Sequence, residues 1–266
     1  ESGKKLLEEL EPIVKELFGL SELEEAVRQK FGLRKVVVVP GDSDVSDDTK
    51  REIGRAGSRV LSQSLSPGDI VAVMGGTTMA RMAAQFKVSE PLADNWFVPA
   101  RGGLGESVEY QANTIASELA KRTGARYRML HVPDHLSEEA YQSLMQEPNV
   151  REVVDMIRRA RIVVHGIGDA ITMARRRKLA KETVQELLKD GALAEAFGYY
   201  FDKNGAVIHR MATAGLRLDD IEAAETVIGL AGGRSKGEAI ASVLKFGHDD
   251  ILVTDEAAAE EALKNG

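Results

Sequence analysis

Apolar residues recur along this chain in two alternating rhythms. In the first 30 residues Leu6, Leu7, Leu10, Ile13, Val14, Leu17 and Phe18 return at helical spacing. Gly19 interrupts them, and Ser21 with Glu24 three residues later has the pattern of a capping box, which predicts a second helix from Ser21. Short apolar, largely β-branched runs follow at residues 35–39, 69–73, 96–98, 127–132, 161–164, 226–230 and 251–254. Each is apolar nearly throughout, as a strand covered on both faces should be. Helical periodicity fills most of the gaps, at 48–65, 78–86, 107–122, 137–158, 170–188, 235–245 and 255–264. Strand alternating with helix predicts an α/β fold, a Rossmann-like three-layer sandwich around a mainly parallel sheet. One segment departs from the alternation. Residues 197–201 and 206–209 flank Asp202-Lys203-Asn204-Gly205, and Asn-Gly between two β-like runs predicts an antiparallel hairpin.

Composition narrows the class. The 266 residues are 43% apolar and 29% charged, ordinary for a folded soluble domain. The absence of cysteine excludes disulfides and thiolate metal sites. No apolar run is long enough to span a bilayer, so no membrane partner is expected. The formal net charge of −7 argues against a nucleic-acid surface on this part of the protein. The chain begins at Glu1 rather than Met, and the expectation is that an N-terminal portion has been removed.

In open parallel sheets ligands bind beyond the carboxyl ends of the strands. Four segments in such positions carry suggestive chemistry. Gly75-Gly76-Thr77-Thr78 offers glycines for close backbone approach and a helix start whose N–H groups attract anions. Arg101, beside Gly102 and Gly103, can grip phosphate with two hydrogen bonds. His165-Gly166-Ile167-Gly168 looks like the opening of a dinucleotide fingerprint, but its third glycine is replaced by Ile171, which argues against NAD. The basic run Arg175-Arg176-Arg177-Lys178 follows it. Gly232-Gly233-Arg234-Ser235-Lys236 is a second glycine-rich helix start, where Ser235 and Lys236 can meet a phosphate. Together these suggest a ligand with two anionic groups, or one phosphate on a polar body. An isomerase or deaminase acting on a sugar phosphate is the alternative, with Asp42, Asp169, His165 or Asp255 as a general base. The four do not assemble into one acid–base constellation on the sequence.

GDSD at 41–44, GGTT at 75–78, VPARGGLGE at 98–106, QANTIA at 111–116, HGIG at 165–168, EAFGYYF at 195–201, LDDI at 218–221 and AGG at 231–233 with Ser235-Lys236 resemble the effector-binding domain of SorC/DeoR-type bacterial repressors. The resemblance covers nearly the whole chain. It implies a sensor rather than an enzyme, with no catalytic residue, cofactor or metal. The implied effector is fructose 1,6-bisphosphate or a related glycolytic sugar phosphate. On matching positions it implies a ligand site of Gly75, Gly76, Thr77, Thr78, Arg101, Gln111, Arg176, Arg177, Glu195 and Lys236; Gln111 and Glu195 enter through the resemblance alone. It further implies linker or docking helices over 1–30, an effector domain over 31–266, and a winged-helix module preceding both, through which operator DNA is bound. Cytoplasmic location and a homodimer or homotetramer complete the expectation.

Overall fold

The computed structural model describes Leu10, Glu16 and residues 19–103, 107–134, 136–211 and 213–266. The first predicted helix therefore lies almost wholly outside the described residues. The second runs Leu20–Phe31 (α1). Its cap is Gly19, in the left-handed region at φ 67°, rather than Ser21. Glu24 has a different role from the one its spacing suggests: its carboxylate accepts the Val38 N–H at 2.8 Å, tying α1 to the first strand.

A seven-stranded parallel sheet forms the middle layer, in the order β1-β11-β10-β5-β2-β3-β4. Its strands are Lys35–Val39 (β1), Ile70–Val73 (β2), Trp96–Pro99 (β3), Arg126–Tyr127 (β4), Ile162–Gly166 (β5), Thr226–Leu230 (β10) and Ile251–Asp255 (β11). Alternate side chains enter opposite cores, as the two-residue strand period requires. Val36, Val38, Ala72, Val163, Val227 and Leu252 face one layer. Val37, Val39, Val71, Val73, Val164, Ile228 and Val253 face the other. The first layer includes α1, Pro148–Arg158 (α6), Gly237–Phe246 (α10) and Glu256–Asn265 (α11). The second includes Asp47–Ser64 (α2), Thr77–Gln85 (α3) and Ala112–Thr123 (α4).

Residues 137–158 form two helices rather than one, Glu138–Leu144 (α5) and α6, the second opening at Pro148. A proline ring is preorganised for a first helical turn and cannot continue a preceding one. Residues 170–188 likewise divide into Ala170–Arg176 (α7) and Lys181–Lys189 (α8), separated at Lys178 with its positive φ of 53°. The predicted hairpin is present as Tyr199–Phe201 (β8) against Val207–Arg210 (β9). It belongs to a four-stranded antiparallel sheet completed by Gly168–Asp169 (β6) and Ala194–Ala196 (β7). The short helix Leu218–Ala223 (α9) leads into β10.

Candidate functional site

All ten residues expected to bind ligand line one cleft, open to solvent, at the carboxyl ends of β2, β3, β5 and β10. Gly75, Gly76, Thr77 and Thr78 make one wall, Gln111 stands beside them, and Arg176 and Lys236 reach in from two other segments.

The two glycines of the first wall have different reasons to be glycine. A Cβ on Gly75 would lie 2.6 Å from the Tyr110 carbonyl oxygen, so this position is kept small by the chain itself rather than by a ligand. Gly76 caps α3 at φ 127° and ψ 163°, a conformation closed to most side chains, and makes no side-chain cap bond. With glycine as the cap residue, the helix start has no cap side chain of its own, and Thr77 and Thr78 of its first turn line the cleft.

The second glycine-rich start differs. Residues Arg234–Lys236 form a 3₁₀ turn before α10. The Ser235 N–H donates to Asp44 Oδ2 at 2.7 Å and its hydroxyl donates to Asp44 Oδ1 at 3.0 Å. The Gly233 N–H donates to buried Asp255 at 2.8 Å. A protein carboxylate therefore holds the position where the sequence suggests a phosphate, and Lys236 alone of this segment lines the cleft. Lys236 is half-buried, and burial holds its ammonium pKa below the ordinary lysine value, with nearby Asp44 opposing that shift.

The floor is a ring of four charges. Arg101, Asp134, Arg177 and Glu195 have side chains only 5%, 4%, 6% and 6% exposed. Arg101 Nη2 donates to Asp134 Oδ2 at 3.0 Å, and its Nε lies 2.8 Å from Asp134 Oδ1, too poorly aligned to hydrogen-bond. Arg177 donates from Nη1 to Asp134 Oδ2 and from Nη2 to Glu195 Oε1, the latter at 2.9 Å. Glu195 Oε1 also accepts the Gly198 N–H at 2.8 Å and lies 3.4 Å from Arg101 Nη1. Gly198, at φ 88°, has to be glycine: a Cβ there would stand 2.6 Å from Arg101 Cζ. Buried charges have to be paired, and this ring pairs them two against two. Arg101 is thus engaged with carboxylates rather than reaching into open space, and Glu195 engages arginines. Tyr200 lies beneath with its hydroxyl buried and, among the described residues, without a hydrogen-bond partner; burial, and next the Glu195 charge, push its pKa above the usual phenol value.

Asp134 was not among the sequence candidates. Its signal was an acid just past a run expected to be a strand, in Val132-Pro133-Asp134. The basic run divides: Arg176 and Arg177 line the cleft, whereas Arg175 and Lys178 do not. Nor do the acids and histidine considered as general bases. His165 is buried, 2.6 Å from Asp249 Oδ1, and stacks on Phe197 with ring centroids 3.9 Å apart. Asp169 accepts the Thr172 N–H and caps α7. Asp255 caps α11, and Asp42 closes a turn by accepting the Asp44 N–H. Among the described residues no group of three or more His, Cys, Asp or Glu is placed to hold a metal, and no helix is long and apolar enough to cross a membrane.

Residues 15–264 match the family described as "Putative sugar-binding domain". The chain is 46% identical over 264 residues to the central glycolytic genes regulator of Priestia megaterium, covering 99% of this chain and 77% of the relative. It is 43% identical over 265 residues to the protein of the same name from Bacillus subtilis, covering 100% and 78%. Among solved structures, a "putative SorC family transcriptional regulator" from Enterococcus faecalis superposes with a TM-score of 0.85 at 42% identity, over 91% of this chain and 99% of that one. The full-length sorbitol operon regulator SorC from Klebsiella pneumoniae has a TM-score of 0.82 at 22% identity, over 91% and 80%, a likeness of fold. These relatives are transcription regulators and not enzymes. The chain belongs to the sugar-binding domain family of SorC/DeoR-type transcription regulators.

Proposed function

We propose that this domain senses a phosphorylated sugar for a repressor of glycolytic genes, with fructose 1,6-bisphosphate or a related glycolytic sugar phosphate as the inducer. The observation that carries this reading is the convergence of a glycine-capped helix start at Thr77 and Thr78 with Arg176 and Lys236 in one cleft. Helix amides and cations around one cleft suit a phosphate on a polar body. The name of the relatives at 43–46% identity supports the glycolytic assignment. The polar ring below supplies donors and acceptors for hydroxyl groups. In this reading the ten lining residues are the binding site, and operator DNA is met through a winged-helix module outside this acidic domain. The protein works in the cytoplasm as a homodimer or homotetramer.

A thermal-shift screen of glycolytic intermediates tests it. At ~100 times its dissociation constant a ligand stabilises by about 2.7 kcal/mol. Fructose 1,6-bisphosphate is expected to raise the melting temperature strongly and inorganic phosphate weakly. If no glycolytic phosphate moves the transition, the reading is wrong.

A further inference from the structure

We propose that Asp134 is an internal anion that competes with the ligand for the arginine pair of the cleft floor, and so sets how readily a bare phosphate binds. This rests on reading the cleft as an anion-binding site.

The geometry distinguishes the two carboxylates of the ring. Glu195 is fixed by its own turn, through the Gly198 N–H. Among the described residues the Asp134 carboxylate receives hydrogen bonds from Arg101 and Arg177 alone. It belongs to a loop past the edge strand β4, whereas Glu195 is held within the antiparallel sheet. Asp134 places one oxygen between the two guanidinium groups, where a phosphate oxygen would have to go to use both forks.

The ring is also incompletely satisfied. Among the described residues Arg177 Nε and Tyr200 Oη are buried without a hydrogen-bond partner, and Arg101 Nε and Asp134 Oδ1 meet at 2.8 Å as an ion pair without hydrogen-bond alignment. Buried polar atoms are ordinarily paired, so this poorly matched pair and two unpartnered atoms in one cluster leave hydrogen-bonding capacity for another arrangement. With two positive and two negative members the ring has no net charge to attract a dianion. An incoming phosphate has to displace Asp134, whereas a sugar hydroxyl does not. Asp134 thereby favours a hydroxyl-bearing ligand over free phosphate.

Asp134→Asn keeps the size and removes the charge, leaving the ring at net +1. Isothermal calorimetry on this chain with inorganic phosphate is expected to give at least tenfold tighter binding in D134N than in the parent. The melting temperature of D134N is expected to rise at phosphate concentrations that leave the parent unmoved. A residue that only braced its loop would, when replaced, lower stability and leave phosphate affinity equal or weaker, and that result overturns the proposal. If D134N does not fold in phosphate-free buffer, recovery of native circular dichroism on adding phosphate supports the proposal, and failure to recover overturns it. A parent that binds sugar phosphates while D134N gains nothing for phosphate removes this inference alone. A gain for phosphate in D134N beside a parent indifferent to every sugar phosphate removes the proposed function alone.

Discussion

At the scale of single residues, the cleft places its cations in two different situations. Arg101 is buried among carboxylates, so Arg101→Ala would leave Asp134 and Glu195 with Arg177 as their one cation in the ring. Removing one partner of a buried charge group costs about 3–5 kcal/mol, and urea denaturation of the variant is expected to show a loss of that order. Lys236 is a half-buried member of the wall, and Lys236→Ala should instead spare stability and weaken a phosphorylated ligand by ~1.5–3 kcal/mol, read by calorimetry. Because burial lowers the Lys236 pKa, the cation that meets an anion is lost at lower pH than for a free lysine. Affinity for phosphate is therefore expected to fall as pH rises through that lowered pKa, and the fall to be absent in K236A. The same shift means that the unfolded chain binds more protons than the native one between the two pKa values, so this group makes stability rise with pH across that window. These roles were only partly legible in the sequence. The position of Thr77, Thr78 and Lys236 after strands was readable from local pattern. The ring was not, because Arg101, Asp134, Arg177 and Glu195 meet only through long-range folding, and nothing near Arg101 in sequence shows what neutralises it.

At the scale of elements, most of the parallel strands could be read from their apolar runs, and the run at 127–132 shows why one could not. Only Arg126–Tyr127 pairs with β3. Leu130 and Val132 are buried like strand residues, but past Arg128, whose N–H still donates to the Phe97 carbonyl at 3.3 Å, the backbone is satisfied otherwise. The Asn113 side chain accepts the Leu130 N–H at 2.9 Å and donates to its carbonyl at 3.0 Å, standing in for a neighbouring strand. Hydrophobicity reported the burial of Leu130 and Val132 but not the exposure of Tyr127 and Met129, and the hydrogen-bond partner was beyond its reach. The hairpin was readable because its turn chemistry is local. Asp202 accepts the Asn204 and Ala206 N–H groups at 2.8 and 2.9 Å, and Gly205 takes a φ of 80°. Asp202→Ala is expected to cost about 0.5–2 kcal/mol, the range for a lost side-chain cap, as measured by urea denaturation. Some burial raises the Asp202 pKa, but the hydrogen bonds from Ala206 and Asn204 outweigh it and the net shift is downward. The contribution is therefore present above the ordinary aspartate pKa and lost as pH falls through the lowered one. The difference between parent and D202A should shrink in acid, and a difference that persists there would contradict the turn's description.

At the scale of the whole molecule, a domain of net charge −7 lacks the overall positive charge that phosphate backbones attract. This chain alone is expected to give no operator-specific gel shift at near-physiological salt, and a shift would show that it carries a DNA surface of its own. Repressors that read palindromic sites are ordinarily symmetric assemblies. Static light scattering is expected to find more than a monomer, with a mass or shape that changes on adding fructose 1,6-bisphosphate, because an inducer acts only by binding two states differently. A monomer under both conditions would count against that expectation.

The order of the sheet has a consequence for how the protein is made. β11 lies between β10 and β1, pairing Leu252 with Val36 on one side and with Gly229 on the other. The first strand of this sheet to be made thus has no neighbour in it until the last strand of the sheet has been synthesised, about 10–40 s later at ~5–20 residues per second. Through that interval Val36 to Val39 must be kept from other chains by something other than their native partner, and a nascent chain stopped short of residue 251 can build the middle of the sheet but not its β1 edge. The last strand is the keystone of that half of the domain, because β1 joins the sheet only through it.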